Sequence, residues 1–149
     1  KNEALRQEVT STLASSFNQT YQVHNTLQVS SGQQALDETL GQRTIEFESG
    51  SAILTAKGRI VLDEMAKVIR ELNNARIAII GHTDNVGLRE SNIELSLARA
   101  AAVRQYLIGK QIESSSMSVT GSGPDAPIAD NSTVEGRSKN RRIDFKILN

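Results

Sequence analysis

Ile77-Ala-Ile-Ile-Gly-His-Thr-Asp-Asn-Val-Gly87, with the Leu95-Ser-Leu-Ala-Arg99 that follows it, decides how this chain is read. Ile77 to Ile80 are short, mostly β-branched and stopped by Gly81, the signature of a buried strand. A polar loop then delivers Asp84. In open α/β sheets the crevice beyond the carboxyl ends of the strands is where ligands bind. On a 3.6-residue wheel, Ser96, Arg99, Ala100, Val103, Tyr106 and Leu107 share one face of the next helix, so Arg99 lies on the sheet-facing stripe. A guanidinium so placed keeps its charge and needs a carboxylate. Two readings stay open on these residues alone. One is an internal Asp84–Arg99 ion pair that serves structure only; the other is a two-pole receiver for a zwitterion.

Outward from this stretch, an order of elements emerges. Residues 1–22 are modestly amphipathic, with Leu5, Val9, Leu13 and Phe17 at helical spacing. Val23-His-Asn-Thr-Leu-Gln-Val29 alternates as a half-buried strand would, and Ser30-Ser-Gly32 ends it. Gln33 to Leu40 reads as a short helix stopped by Gly41. Thr44-Ile-Glu-Phe-Glu48 alternates with Ile45 and Phe47 on one face, the first strand of the main domain. Ser49-Gly-Ser51 is a turn. Thr55 caps a helix whose Leu62, Met65, Ile69 and Leu72 form one stripe, stopped at Asn73-Asn74. After the central strand, a second helix spans about Ser91 to Ile108 and ends at Gly109. Ser116 to Thr120 is a further strand, and Gly121 to Asn131, which holds both prolines, is a long loop. Thr133 to Ser138 forms one helical turn, and Arg142 to Leu148 a last strand with Ile143, Phe145 and Ile147 inward. The fold class is therefore α/β: β-α-β-α-β-loop-β, a mixed four-stranded sheet with two main helices packed on it. The expected division is an appendage, 1–42, and a main domain, 43–149.

Composition excludes several functions. In 149 residues, 17 Lys+Arg balance 17 Asp+Glu, which argues against bulk, salt-driven nucleic-acid binding. Arg137, Lys139, Arg141, Arg142 and Lys146 are locally basic, but with three Phe and two Tyr there is no stacking platform for single strands. With no cysteine and only His24 and His82, a zinc site is not expected. Asp84-Asn-Val-Gly87 falls short of a calcium loop, and Gly121-Ser-Gly-Pro124 lacks the third glycine of a dinucleotide fingerprint, with a proline that spoils the turn. No cofactor is expected. His82 has no Gly-x-Ser-x-Gly elbow or other positioned nucleophile to serve, so a loop-fixing histidine is the better reading than a catalytic one. No run is long and apolar enough to span a bilayer. The chain starts on Lys1, and an upstream targeting or membrane-tethering segment is expected outside it.

Four blocks together resemble a known family. Ile45-Glu-Phe-Glu-Ser-Gly-Ser-Ala52, Gly81-His-Thr-Asp-Asn-Val-Gly87, Asn92 with Leu95-Ser-Leu-Ala-Arg-Ala100, and Asn131-Ser-Thr-Val-Glu-Gly-Arg-Ser-Lys-Asn-Arg-Arg142 resemble the OmpA-like peptidoglycan-binding domain, in order and from about Thr44 to Leu148. The resemblance implies a non-catalytic periplasmic domain that grips the diaminopimelate of the cell-wall stem peptide and anchors an envelope protein to peptidoglycan. It implies that Asp84 receives the diaminopimelate ammonium, that Arg99 pairs with its carboxylate, and that Asn92 lines the pocket. Thr83, Asn85, Phe47, Ser49 and Gly50 match positions near the ligand. The two arginines of Asn140-Arg-Arg142 match as well, one of them, Arg142, bracing the pocket. Ser91 departs from the bulkier residue often found before that asparagine. Self-association of the chain is compatible with this reading. The competing expectation is a scaffold domain of an envelope complex with a degenerate pocket, in which Asp84 and Arg99 close on each other.

Overall fold

The structure, a computed structural model, describes residues 24–72 and 75–148. Contacts divide the chain into two compact units, Lys1–Ser31 and Gly32–Asn149. The elements are α1 (His24–Leu40), α2 (Ala56–Glu71), β1 (Ile77–His82), α3 (Arg89–Gly109), β2 (Met117–Gly123), α4 (Val134–Asn140) and β3 (Arg142–Ile147). The sheet has the order β2-β1-β3, with β1 parallel to β2 and antiparallel to β3. The α/β class with a mixed sheet and two main helices is as the sequence predicts.

β1 is central because it is the most apolar strand. Ile77 and Ile79 are almost fully buried against Leu62, Met65, Ala100, Val103 and Leu107 of the two long helices. Each such side chain contributes about 1.5–3 kcal/mol by leaving water. α2 begins where Thr55 accepts a hydrogen bond from Gly58 N, and its stripe Val61, Leu62, Met65, Ala66 and Ile69 is buried as the spacing predicts. α3 meets the strand ends at backbone distance. A Cβ on Gly81 would lie 2.1 Å from Ser96 O, and one on Gly121 2.6 Å from Ile93 O. These glycines let the helix bring Asn92 and Arg99 over the carboxyl end of β1.

Three expectations are corrected. Residues 24–29 are not a strand but the first part of α1, and the helix continues through Ser30-Ser-Gly32. A lone strand leaves its backbone groups without a ladder, whereas a helix satisfies its own. Thr44 to Glu48 is extended but outside the sheet. It folds back through Ser49-Gly50, where Gly50 has φ +65°, to a single antiparallel bridge between Phe47 and Leu54. Ile45 is buried as expected, so the alternation is correct and only the pairing differs. The sheet described thus has three strands rather than four. The apolar spacing in residues 1–22 and the helix stop at Asn73-Asn74 lie outside the described residues.

Candidate functional site

Asp84 sits two residues beyond β1 and is buried. Its Oδ1 accepts from Val86 N at 3.0 Å, a side-chain turn that fixes the loop. Thr83, also buried, donates from Oγ1 to Asp84 O at 2.7 Å, and its backbone N–H extends the β2 ladder to Gly123 O at 2.9 Å. Asn92, near the start of α3, donates from Nδ2 to Val86 O at 2.8 Å, holding the far side of the same loop. Asn85 is exposed at the loop's crown.

Arg99 is half-buried on the inward stripe, as the wheel predicts. It does not close on Asp84. Its Nε donates to Ser51 O at 2.7 Å, and its guanidinium carbon lies 4.9 Å from the centroid of the Phe47 ring. Among the described residues no carboxylate lies within ion-pair distance of it. Burial lowers its pKa from the ordinary arginine value, the nearby Arg141 charge adds to this, and Asp84 opposes both. A guanidinium stays charged under such a shift. Ser49 and Gly50 form the exposed tip of the 47–54 turn, so their contribution is to present Ser51 O.

The internal partner of Asp84 is Arg141, with Nη1 2.6 Å from Oδ2. Arg142, by contrast, is turned away from Asp84. It donates from Nε to Asp144 Oδ1 at 3.1 Å and from Nη2 to Ala126 O at 3.0 Å. The structure therefore brings Asp84, Arg99, Phe47, Thr83 and Asn92 into one place, adds Arg141 and Ser51, and gives Arg142 a bracing role in the adjoining loop. Two adjacent arginines carry no signal that separates them, since α4 ends between Asn140 and Arg141 and β3 begins at Arg142.

His82, the last residue of β1, turns toward β3 instead. It is buried, with Nε2 3.0 Å from Asp144 Oδ2, and neither ring nitrogen makes a well-formed hydrogen bond among the described residues. Burial pushes the Asp144 carboxyl up, but the His82 ring and the Arg142 guanidinium outweigh it and hold the pKa below the ordinary 3.8. A depressed pKa means the ionised form stabilises the fold at neutral pH, and that stabilisation is lost as pH falls through the folded value. Asp144→Asn should therefore melt lower than the parent chain at pH 7. The gap between the two melting curves should close below about pH 4. A gap that widens in acid would contradict this arrangement.

No helix among the described residues is long and apolar enough to cross a membrane, and no cluster there could hold a metal ion. The family model described as OmpA family matches residues 46–141. Outer membrane protein A of Bordetella avium is 37% identical over 102 residues, covering 68% of this chain and 53% of that protein. Peptidoglycan-binding protein ArfA of Mycobacterium tuberculosis is 36% identical over 103 residues, 69% of this chain and 32% of its own length. The chain thus spans about half, or less, of these relatives. Among solved structures, the peptidoglycan-associated lipoprotein of Burkholderia pseudomallei superposes with a TM-score of 0.66 at 26% identity, covering 74% of this chain and 93% of that one. The matched span takes in the 47–54 turn, the Asp84 loop, Arg99 and Arg141, every part from which the charged cluster is built, and the chain belongs to the OmpA family.

Proposed function

We propose that this chain is a non-catalytic module on the periplasmic side of the envelope. It anchors an envelope protein to peptidoglycan by gripping the diaminopimelate of the stem peptide. The observation that carries this is Arg99: a half-buried cation, aimed by Ser51 O and the Phe47 ring, with no carboxylate partner among the described residues and Asp84 close by. The free end of diaminopimelate is a zwitterion. Its carboxylate suits the fork of Arg99, and its ammonium suits Asp84. Two acceptor positions of Asp84 are used by Val86 N and Arg141, and an ionised carboxylate offers about four. The names of ArfA and of the Burkholderia lipoprotein, peptidoglycan-binding and peptidoglycan-associated, support the same ligand class.

The test is co-sedimentation with purified sacculi. Arg99→Gln and Asp84→Asn should each weaken retention about tenfold or more, the value of one charge-assisted contact. Both should keep the far-ultraviolet circular dichroism of the parent chain. Free diaminopimelate should compete with the parent chain for the wall, and its N-acetylated form should not. Retention unchanged in both folded variants would remove the proposal.

A further inference from the structure

Arg141 is a side chain with donors to spare on a fixed mount. Asn140 before it is fully buried, and Arg142 after it is held by Asp144 and Ala126 O. The Arg141 side chain itself is 45% exposed and makes one contact, Nη1 to Asp84 Oδ2 at 2.6 Å. Its Nε and Nη2 donate to nothing among the described residues. Those two groups form one edge of the guanidinium fork, the edge by which Arg89 grips both oxygens of Asp125. Arg141 therefore keeps the donors for a whole carboxylate unspent. It also stands close to Arg99: burial first, and then the Arg141 charge, lower the Arg99 pKa, while Asp84 raises it. Arg99, Arg141 and Asp84 make two cations and one anion, an excess of one positive charge.

A zwitterion carries no net charge, so the ligand end proposed above leaves that excess in place. Its carboxylate takes Arg99, and its ammonium meets an Asp84 already paired with Arg141. Two cations on one carboxylate repel each other, and a site partly closed to water screens them poorly. We infer, on the diaminopimelate reading above, that Arg141 is a specificity-determining residue that takes a second carboxylate of the ligand. Diaminopimelate has that group at its other, chain-linked centre, three methylenes from the zwitterionic end. It is an anion where the stem stops at diaminopimelate. Where alanine follows, it is a neutral peptide carbonyl, and the negative charge moves one residue further out. The module therefore selects stems that end at diaminopimelate over longer ones.

The test is calorimetric titration of the full chain with three synthetic stem peptides. One ends at diaminopimelate, one is the same peptide with that terminal carboxyl made an amide, and one is extended by D-alanine. The parent chain should bind the first about tenfold more tightly than the other two, the value of one charge-assisted contact. Arg141→Gln should bind all three alike, and the amide no more weakly than the parent does. A role confined to holding Asp84 would instead weaken all three together and keep the preference, which overturns the inference. Arg141→Lys keeps the charge without the fork; it too should lose the preference, and it provides the readout where Arg141→Gln fails to fold. Equal binding of the three peptides by the parent overturns this inference and leaves the diaminopimelate reading standing. Binding of none of them overturns both.

Discussion

Gly81→Ala should destabilise the chain by about 3 kcal/mol and abolish retention on sacculi together with it. The added Cβ would stand 2.1 Å from Ser96 O and 2.8 Å from Ser96 C, which are backbone atoms and cannot rotate aside. Ser96 is itself pinned, donating to Ile93 O and accepting from Gly123 N at 2.9 Å each. Relief requires α3 to move off β1 as a body, taking Arg99 with it, three residues along. Stability and binding are therefore predicted to fail through one displacement. Urea denaturation reads the first and wall retention the second. Gly109→Ala is the control: nothing lies within 4 Å of a Cβ there, so both measurements should match the parent chain. A Gly81→Ala midpoint as high as that control would refute the close approach.

Asn140→Ala should cost about 3–5 kcal/mol, because several buried groups lose their partners at once. Asn140 is fully buried. Its Oδ1 accepts from Ile128 N at 2.7 Å and Ala129 N at 3.0 Å. Its Nδ2 donates to Ala129 O at 3.0 Å and Asn131 Oδ1 at 2.8 Å. This one amide fixes the proline-containing loop after β2, and the residue after it is Arg141, the partner of Asp84. Thermal unfolding checks the stability loss, and faster amide exchange at Ile128 and Ala129 checks its location. Asn140→Asp keeps the two bonds accepted by Oδ1 and loses the two donated by Nδ2, so it too should destabilise. An Asn140→Asp chain as stable as the parent would show that the donor half of the network contributes nothing.

The sequence made the central layer legible because period and burial agree there. Ile77 and Ile79 in β1, the α2 stripe and the inward side of α3 are all set by apolar spacing, and that same spacing placed Arg99 correctly. Residues 24–29 misled because a run that short fits period 2 and period 3.6 about equally well; what decides is whether a ladder partner exists. Thr44 to Glu48 shows the converse. Alternation told which side chains turn inward, but nothing in it names the neighbouring strand, and the neighbour proved to be Leu54 of its own turn. In the site, Asp84 was legible from its place after a buried strand. Its pairing with Arg141 rather than Arg99 was not, since periodicity does not run across the junction from α4 to β3. Ser51 was hidden for a different reason: it contributes a backbone carbonyl, and any residue type could have supplied it.

The place of β1 in the sheet has a mechanical consequence. On the proposed reading, tension would arrive at the loop after β1 and the first half of α3. Pulled from that end, β1 is drawn along its own length between two neighbours, β2 on one side and β3 on the other. The hydrogen bonds of both ladders then share the load side by side in shear, instead of parting one after another as they would in peeling. A load applied along this central strand would meet two rows of bonds at once.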